Sequence, residues 1–178
     1  TDQLGFIGKA RFVSLSTGAW TSFAITTGNE SNNSAGLLAD TEFTNRTRYS
    51  WLVGLPLTGR LDYVFHHWLG FQEHGAIDGT QANWYGIDQY LTYCVSRCSK
   101  VGMRFEWFRD EDGQRVDVNG AGPGSFYEST LGLNWQPHSN IRIRPEVRWD
   151  WFDGQGRPFD SRDGGKTGTE VNQFTGGL

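Results

Sequence analysis

The sequence predicts an all-β fold: one antiparallel, up-and-down transmembrane β-barrel domain over 1–178, present as a partial barrel of about nine strands. Three observations carry this. Apolar and charged residues alternate with period two along several stretches. The connections between stretches alternate short and long. No run approaches the roughly 18 to 20 apolar residues that a spanning helix needs. The chain is only 37% hydrophobic, with a mean hydropathy of −0.54. A barrel is compatible with such values, because only alternate strand residues face lipid.

Composition agrees with a strand-rich chain. Aromatics make up 15%, with 8 Trp, and 24 residues are Gly, which supplies turns. No convincing amphipathic helix is found. A net charge of −4 argues against a general nucleic-acid partner.

Nine strand-like stretches follow in order: 5–16, 20–28, 41–57, 60–72, 83–95, 100–110, 125–136, 141–152 and 169–178. Short turns fall at Thr17-Gly18-Ala19, Leu57-Thr58-Gly59, Ser96 to Ser99 and Pro137-His138-Ser139-Asn140. Longer Gly-, Asn- and Asp-rich connections fall near 29–40, 73–82, 111–124 and 153–168. Short turns at one end and long loops at the other are a barrel signature.

The faces of the strands can be read because side chains alternate sides. In 41–57, Tyr49, Trp51, Val53 and Leu55 oppose Arg46 and Arg48. In 60–72, Leu61, Tyr63, Phe65, His67, Leu69 and Phe71 oppose Asp62, Val64, His66, Trp68 and Gln72. His67 is awkward on an apolar face; it implies a position near the interface or a slip of register. In 83–95, Tyr85, Ile87, Leu91, Tyr93 and Val95 oppose Asp88, Tyr90 and Thr92, with Gln89 as an exception. In 100–110, Val101, Met103, Phe105 and Trp107 oppose Gly102, Arg104 and Glu106. In 125–136, Tyr127, Leu131, Leu133 and Trp135 oppose Glu128, Thr130, Gly132 and Asn134.

The stretch 141–152 is the clearest. Ile141, Ile143, Pro145, Val147, Trp149 and Trp151 form one face. Arg142, Arg144, Glu146, Arg148 and Asp150 form the other. In a soluble sheet the apolar face would be core, and Trp is common in cores. Recurrence of the rule over many strands favours lipid on one side and water on the other. Trp20, Trp51, Trp84, Tyr85, Trp107, Trp135, Trp149 and Trp151 all lie within a few residues of a connection. They are expected to form an aromatic girdle at the membrane–water boundary.

The charged row is the candidate functional feature. Arg46, Arg48, Arg104, Glu106, Glu128, Arg142, Arg144, Glu146, Arg148 and Asp150 are expected to line a water-filled lumen. Such rings of charge set ion preference, and the excess of Arg suggests a mild preference for anions. The plainer reading is that neighbouring Arg and Glu brace the wall across strands.

Residues 84–153 resemble a known family. The run Trp84-Tyr85-Gly86-Ile87-Asp88-Gln89-Tyr90-Leu91 comes first, then Gly102-Met103-Arg104-Phe105-Glu106-Trp107-Phe108-Arg109-Asp110-Glu111-Asp112-Gly113. Phe126-Tyr127-Glu128 leads into Leu131-Gly132-Leu133-Asn134-Trp135-Gln136-Pro137-His138, and Arg144-Pro145-Glu146-Val147-Arg148-Trp149-Asp150-Trp151-Phe152-Asp153-Gly154 follows. These are similar to the C-terminal portion of the OmpL-like outer-membrane β-barrel porins of planctomycete-type bacteria, more loosely over 1–83. The resemblance implies a bacterial outer-membrane barrel for passive diffusion of small hydrophilic solutes and ions. The implied partners are the lipid bilayer and lipopolysaccharide-type lipids; association as a homotrimer is left open. No cofactor is implied. Such barrels end on a strand with a terminal aromatic, whereas this chain stops at Leu178. With an abrupt polar start at Thr1, that predicts a barrel incomplete at both ends.

Other motifs are weaker. Cys94 and Cys98, the only cysteines, flank a short turn. In an oxidising periplasm they could pair, unless geometry forbids it; two thiols alone make a poor metal site. The acidic runs Asp110-Glu111-Asp112-Gly113 and Asp160-Ser161-Arg162-Asp163-Gly164-Gly165 lack the ordered spacing of a calcium loop and read as solvated loops. His66, His67, His74 and His138 form no metal or catalytic spacing. No catalytic residue and no metal ligand set is assigned. The alternatives to a diffusion channel are a barrel anchor or scaffold in a cell-envelope complex, a soluble Trp-rich carbohydrate-binding sandwich and an outer-membrane hydrolase.

Overall fold

The structure, a computed structural model, describes residues 4–31, 43–116, 121–160 and 167–178. Among these the regular elements are strands: β1 (Phe6–Val13), β2 (Trp20–Ser31), β3 (Phe43–Pro56), β4 (Leu61–Gln72), β5 (Ala82–Ser96), β6 (Ser99–Asp110), β7 (Gly124–His138), β8 (Ile141–Ile143), β9 (Glu146–Gly154) and β10 (Asn172–Gly177). They form one antiparallel sheet in the order β1-β2-β3-β4-β5-β6-β7-β9-β10, with β8 also on β7. No helix among the described residues is long and apolar enough to cross a membrane, which says nothing of strands.

Each strand pairs with its sequence neighbour, as short turns and period-two faces dictate. The sheet is not closed: β1 and β10 have neighbours on one side only. Since every adjacent pair is antiparallel and nine strands lie along the path, β1 and β10 run in the same direction. These two edges therefore cannot meet as an antiparallel pair. Strands β2 to β7 have 12 to 15 residues. At ~3.4 Å per residue and a barrel tilt of about 40°, that gives a wall roughly 31 to 39 Å tall, enough for an apolar band of about 25 Å with wet margins.

Two sequence expectations are resolved by the register. The stretch 141–152 is two strands, because Pro145 has no N–H to give the ladder. The alignment is unchanged across the break: Trp135 faces Ile143 and Leu131 faces Val147, and the Leu133 N–H donates to the Pro145 carbonyl at 3.0 Å. His67 involves no slip either, since β3 and β4 pair without interruption from Arg46↔Gln72 to Pro56↔Asp62. Its ring lies on the apolar face, 5.7 Å from the ring of Tyr49. The Gln89 exception is also satisfied, its side-chain carbonyl accepting from the Tyr63 hydroxyl at 2.9 Å.

The apolar face is open rather than buried. Phe12 is 70%, Trp51 45%, Met103 51%, Leu131 52% and Trp149 48% exposed. The small hydrophobic cluster of Ala76, Ala82 and Trp84, with Trp68 and Phe108 packed on it, lies instead on the polar side of the sheet. A soluble two-layer protein would bury the first face; here the more polar face is the better covered one.

Candidate functional site

The pairing places Arg46, Arg48, Arg104, Glu106, Glu128, Glu146, Arg148 and Asp150 on one face of the sheet. Arg142 alternates with Ile141 and Ile143 onto that same face, and Arg144 falls in the break between β8 and β9; both are exposed at the short-turn end. The face also gathers groups outside the sequence list: Glu30, His66, Gln72, Asp88 and Asp110. Alternation from Glu106 and Arg104 could have found Asp88 and Asp110, since the short turn fixes the register of β5 against β6.

Within this face the charges are sorted by height. Asp88 faces Glu106, Glu106 faces Glu128, and Glu128 faces Asp150, so four carboxylates cross four adjacent strands in one row. One same-face position toward the short turns lie Arg104 and Arg148, with Thr130 between them. One position toward the long loops lie Phe108, Phe126 and Phe152. Trp68 reaches over Gly86 to stack on Phe108 at 5.1 Å. Like charges directly opposite repel, so each carboxylate of the row needs compensation.

Most of it comes from bracing. His66 sits between Asp88 and Ser50, 2.7 and 2.8 Å from them. Arg104 donates to Glu128, whose carboxylate also accepts from Thr130. Arg148 donates to Asp150 at 2.6 to 3.0 Å, and Gln173 donates to the same carboxylate at 3.0 Å. Near the long loops Arg46 donates to Glu30 and, at 2.7 and 2.9 Å, to the fully buried Gln72. Bracing between neighbouring side chains therefore runs along much of this face.

The acidic run after β6 is not the solvated loop its composition suggests. Asp110 is completely buried. Its carboxylate accepts the backbone N–H groups of Gln114, Arg115 and Val116 at 3.2, 2.8 and 2.9 Å. This turns the segment inward: Arg115 lies 4.9 Å over the Trp84 ring, and Gln114 donates to Gln72 at 3.3 Å. The Glu111 carboxyl lies below its ordinary range because the Tyr85 hydroxyl donates to it at 2.6 Å. Residues 161–165 of the second acidic run lie outside the described residues. Among the described residues no group of three or more His, Cys, Asp or Glu side chains is arranged to hold a metal ion.

A family model described as "Putative beta-barrel porin-2, OmpL-like" matches residues 4–178. The chain belongs to this family. No curated protein and no solved structure matches it. Membership extends the resemblance read over 84–153 to nearly the whole chain, including strands before 83, where alternation is less regular.

Trp51, Tyr85, Trp107, Trp135, Trp149 and Trp151 share the apolar face. Tyr127 stacks on Trp151 at 5.1 Å, and Tyr85 meets Trp107 edge-on at 5.6 Å. Trp84 is a correction: it lies on the charged face and is 2% exposed. The alternation that puts Tyr85 outward puts Trp84 inward, over Gly70, where a Cβ would come within 2.4 Å of the indole. Trp20 is corrected in the same way; it lies over Gly54, with Arg11 4.4 Å from its ring. Cys94 and Cys98 are free thiols. Cys94 belongs to the ladder opposite Lys100, while Cys98 sits out in the turn, its sulfur 3.5 Å from the Ser96 hydroxyl.

Proposed function

We propose that this chain builds the wall of a water-filled channel in the bacterial outer membrane, through which small hydrophilic solutes and ions diffuse. One observation carries the reading. The sheet has an open apolar face and a charged, hydrogen-bonded face, and the two alternate residue by residue. A wall with lipid on one side and water on the other is served by that arrangement. Family membership supports it. On this reading Trp107, Trp135 and Trp151 are the interfacial anchors. Arg46, Arg48, Arg104, Glu106, Glu128, Arg142, Arg144, Glu146, Arg148 and Asp150 face the aqueous path, and the work is passage rather than chemistry. Bilayer and lipopolysaccharide-type lipids cover the outer face, with trimer association a further expectation.

The segment pinned by Asp110 favours a narrowed mouth at the long-loop end, as a barrel acting as an anchor or scaffold would also show. The test is electrical. Protein folded in detergent, shown folded by heat-modifiable gel migration, is added to a planar bilayer. Stepwise ion conductance is expected. Folded protein that inserts without conductance would overturn the channel and leave the scaffold.

A further inference from the structure

The row of carboxylates is not evenly compensated. Asp88 has His66, Glu128 has Arg104 and Thr130, and Asp150 has Arg148 and Gln173. Glu106 stands between Asp88 and Glu128, both acidic. Arg104 lies 3.8 Å from it but is already committed to Glu128. Arg148, bound to Asp150, acts on it at longer range, and the side-chain hydrogen bond of Glu106 is to the acidic Asp88. Glu106 lines a cavity of about 960 Å³ together with Phe108, Phe126, Glu128 and Asp150. Asp160 and Glu170 add further carboxylates to its lining, and Arg148 is the cation among the described residues that line it.

The cavity thus has two chemically different strips. One is acidic. The other is aromatic: Phe108 stacks on Phe126 at 5.9 Å, and Phe126 in turn meets Phe152, outside the lining, in a tilted contact at 4.5 Å. Successive same-face positions on a strand are about 7 Å apart. That spacing suits a solute carrying a positive charge at one end and a small apolar group at the other. A cleft lined mainly by one sign concentrates counter-ions, and an ammonium beside Glu106 relieves the repulsion along the row.

We infer that this cavity is a subsite for organic cations, with Glu106 meeting the ammonium and the Phe108–Phe126 strip meeting the apolar part, and that the wall at this height prefers cations. The inference rests on the channel reading above. It departs from the mild anion preference that a count of Arg suggests, because register, not composition, decides which charges are neighbours.

Two measurements test it. In a planar bilayer under a potassium chloride gradient, the unaltered chain is expected to show a cation-selective reversal potential. Glu106→Gln is expected to move that potential toward zero, and Glu106→Asp to retain it. Separately, phenethylammonium is titrated against tryptophan fluorescence of the detergent-folded chain, with phenylacetate as the matched anion. Saturable binding of the cation alone is expected, weakened about tenfold or more by Glu106→Gln, the scale of a lost hydrogen bond to a charged group. Conductance without cation preference, equal binding of both probes, or equal affinity in Glu106→Gln overturns the inference. Absence of any current counts against the channel reading instead, and the titration then still decides the subsite.

Discussion

Leu131 and Gly132 are adjacent in β7 yet lie on opposite faces of the sheet, so Arg at each position separates the two faces. Leu131 is at the centre of Gly124–His138 and is 52% exposed. Its cross-strand neighbours Met103 and Val147 are 51% and 43% exposed. Arg there places a cation near the middle of the hydrocarbon, which costs about 2 to 4 kcal/mol in a barrel. Gly132 is on the charged face. A Cβ there meets only the Glu146 Cβ at 3.6 Å and the Pro145 carbonyl at 3.7 Å, both ordinary contacts. Arg at 132 stands directly opposite Glu146, which is worth roughly 0.2 to 1 kcal/mol in its favour. The expected gap between Leu131→Arg and Gly132→Arg is therefore about 2 to 5 kcal/mol, or about 40- to 5,000-fold in the folding constant. Urea unfolding in phospholipid vesicles, followed by tryptophan fluorescence, measures it. Equal losses at the two positions would falsify the assignment of lipid to the apolar face. Full stability in buffer without lipid or detergent would sink it as well.

Four further outcomes are expected. Asp110→Ala leaves three backbone N–H groups without their carboxylate, so hydrogen exchange at Gln114, Arg115 and Val116 should speed by an order of magnitude or more; unchanged exchange would show that Asp110 does not hold the segment. Gly70→Val drives a Cβ into the Trp84 indole and should cost about 1 to 3 kcal/mol, read as a lower urea midpoint, whereas Gly102→Val meets nothing within 4 Å and should be neutral or better. The Glu111 carboxyl is held low by the Tyr85 hydroxyl, so its contribution is present above the ordinary carboxylate range and is lost as pH falls through its lowered value; Tyr85→Phe should raise the Glu111 titration seen by NMR, and no change would refute that bond. Both cysteines should react with a thiol reagent in denaturant without reductant, and a result of zero thiols would show the pair bonded.

The features legible in the sequence were the local ones. Period-two alternation and turn residues located the strands to within a few positions, because both are set by a residue and its immediate neighbours. They also told which of Ile141 to Trp151 share a face. The interruption at Pro145 was legible in principle, since the missing N–H is a property of that residue alone. Trp84 was legible too, by parity with Tyr85, but a count of aromatics near strand ends obscured it.

Other features depend on which strand lies beside which, and at what height. The sequence shows Asp88, Glu106, Glu128 and Asp150 as scattered acids among more numerous arginines. Only the inter-strand register assembles them into one row and places Glu106 between two other acids. Only the folded chain turns Asp110 from a loop acid into a buried anchor. The physical reason is common to both: alternation is a property of one strand, whereas a Coulomb interaction or a hydrogen bond between strands depends on distances that the chain sets only when it pairs.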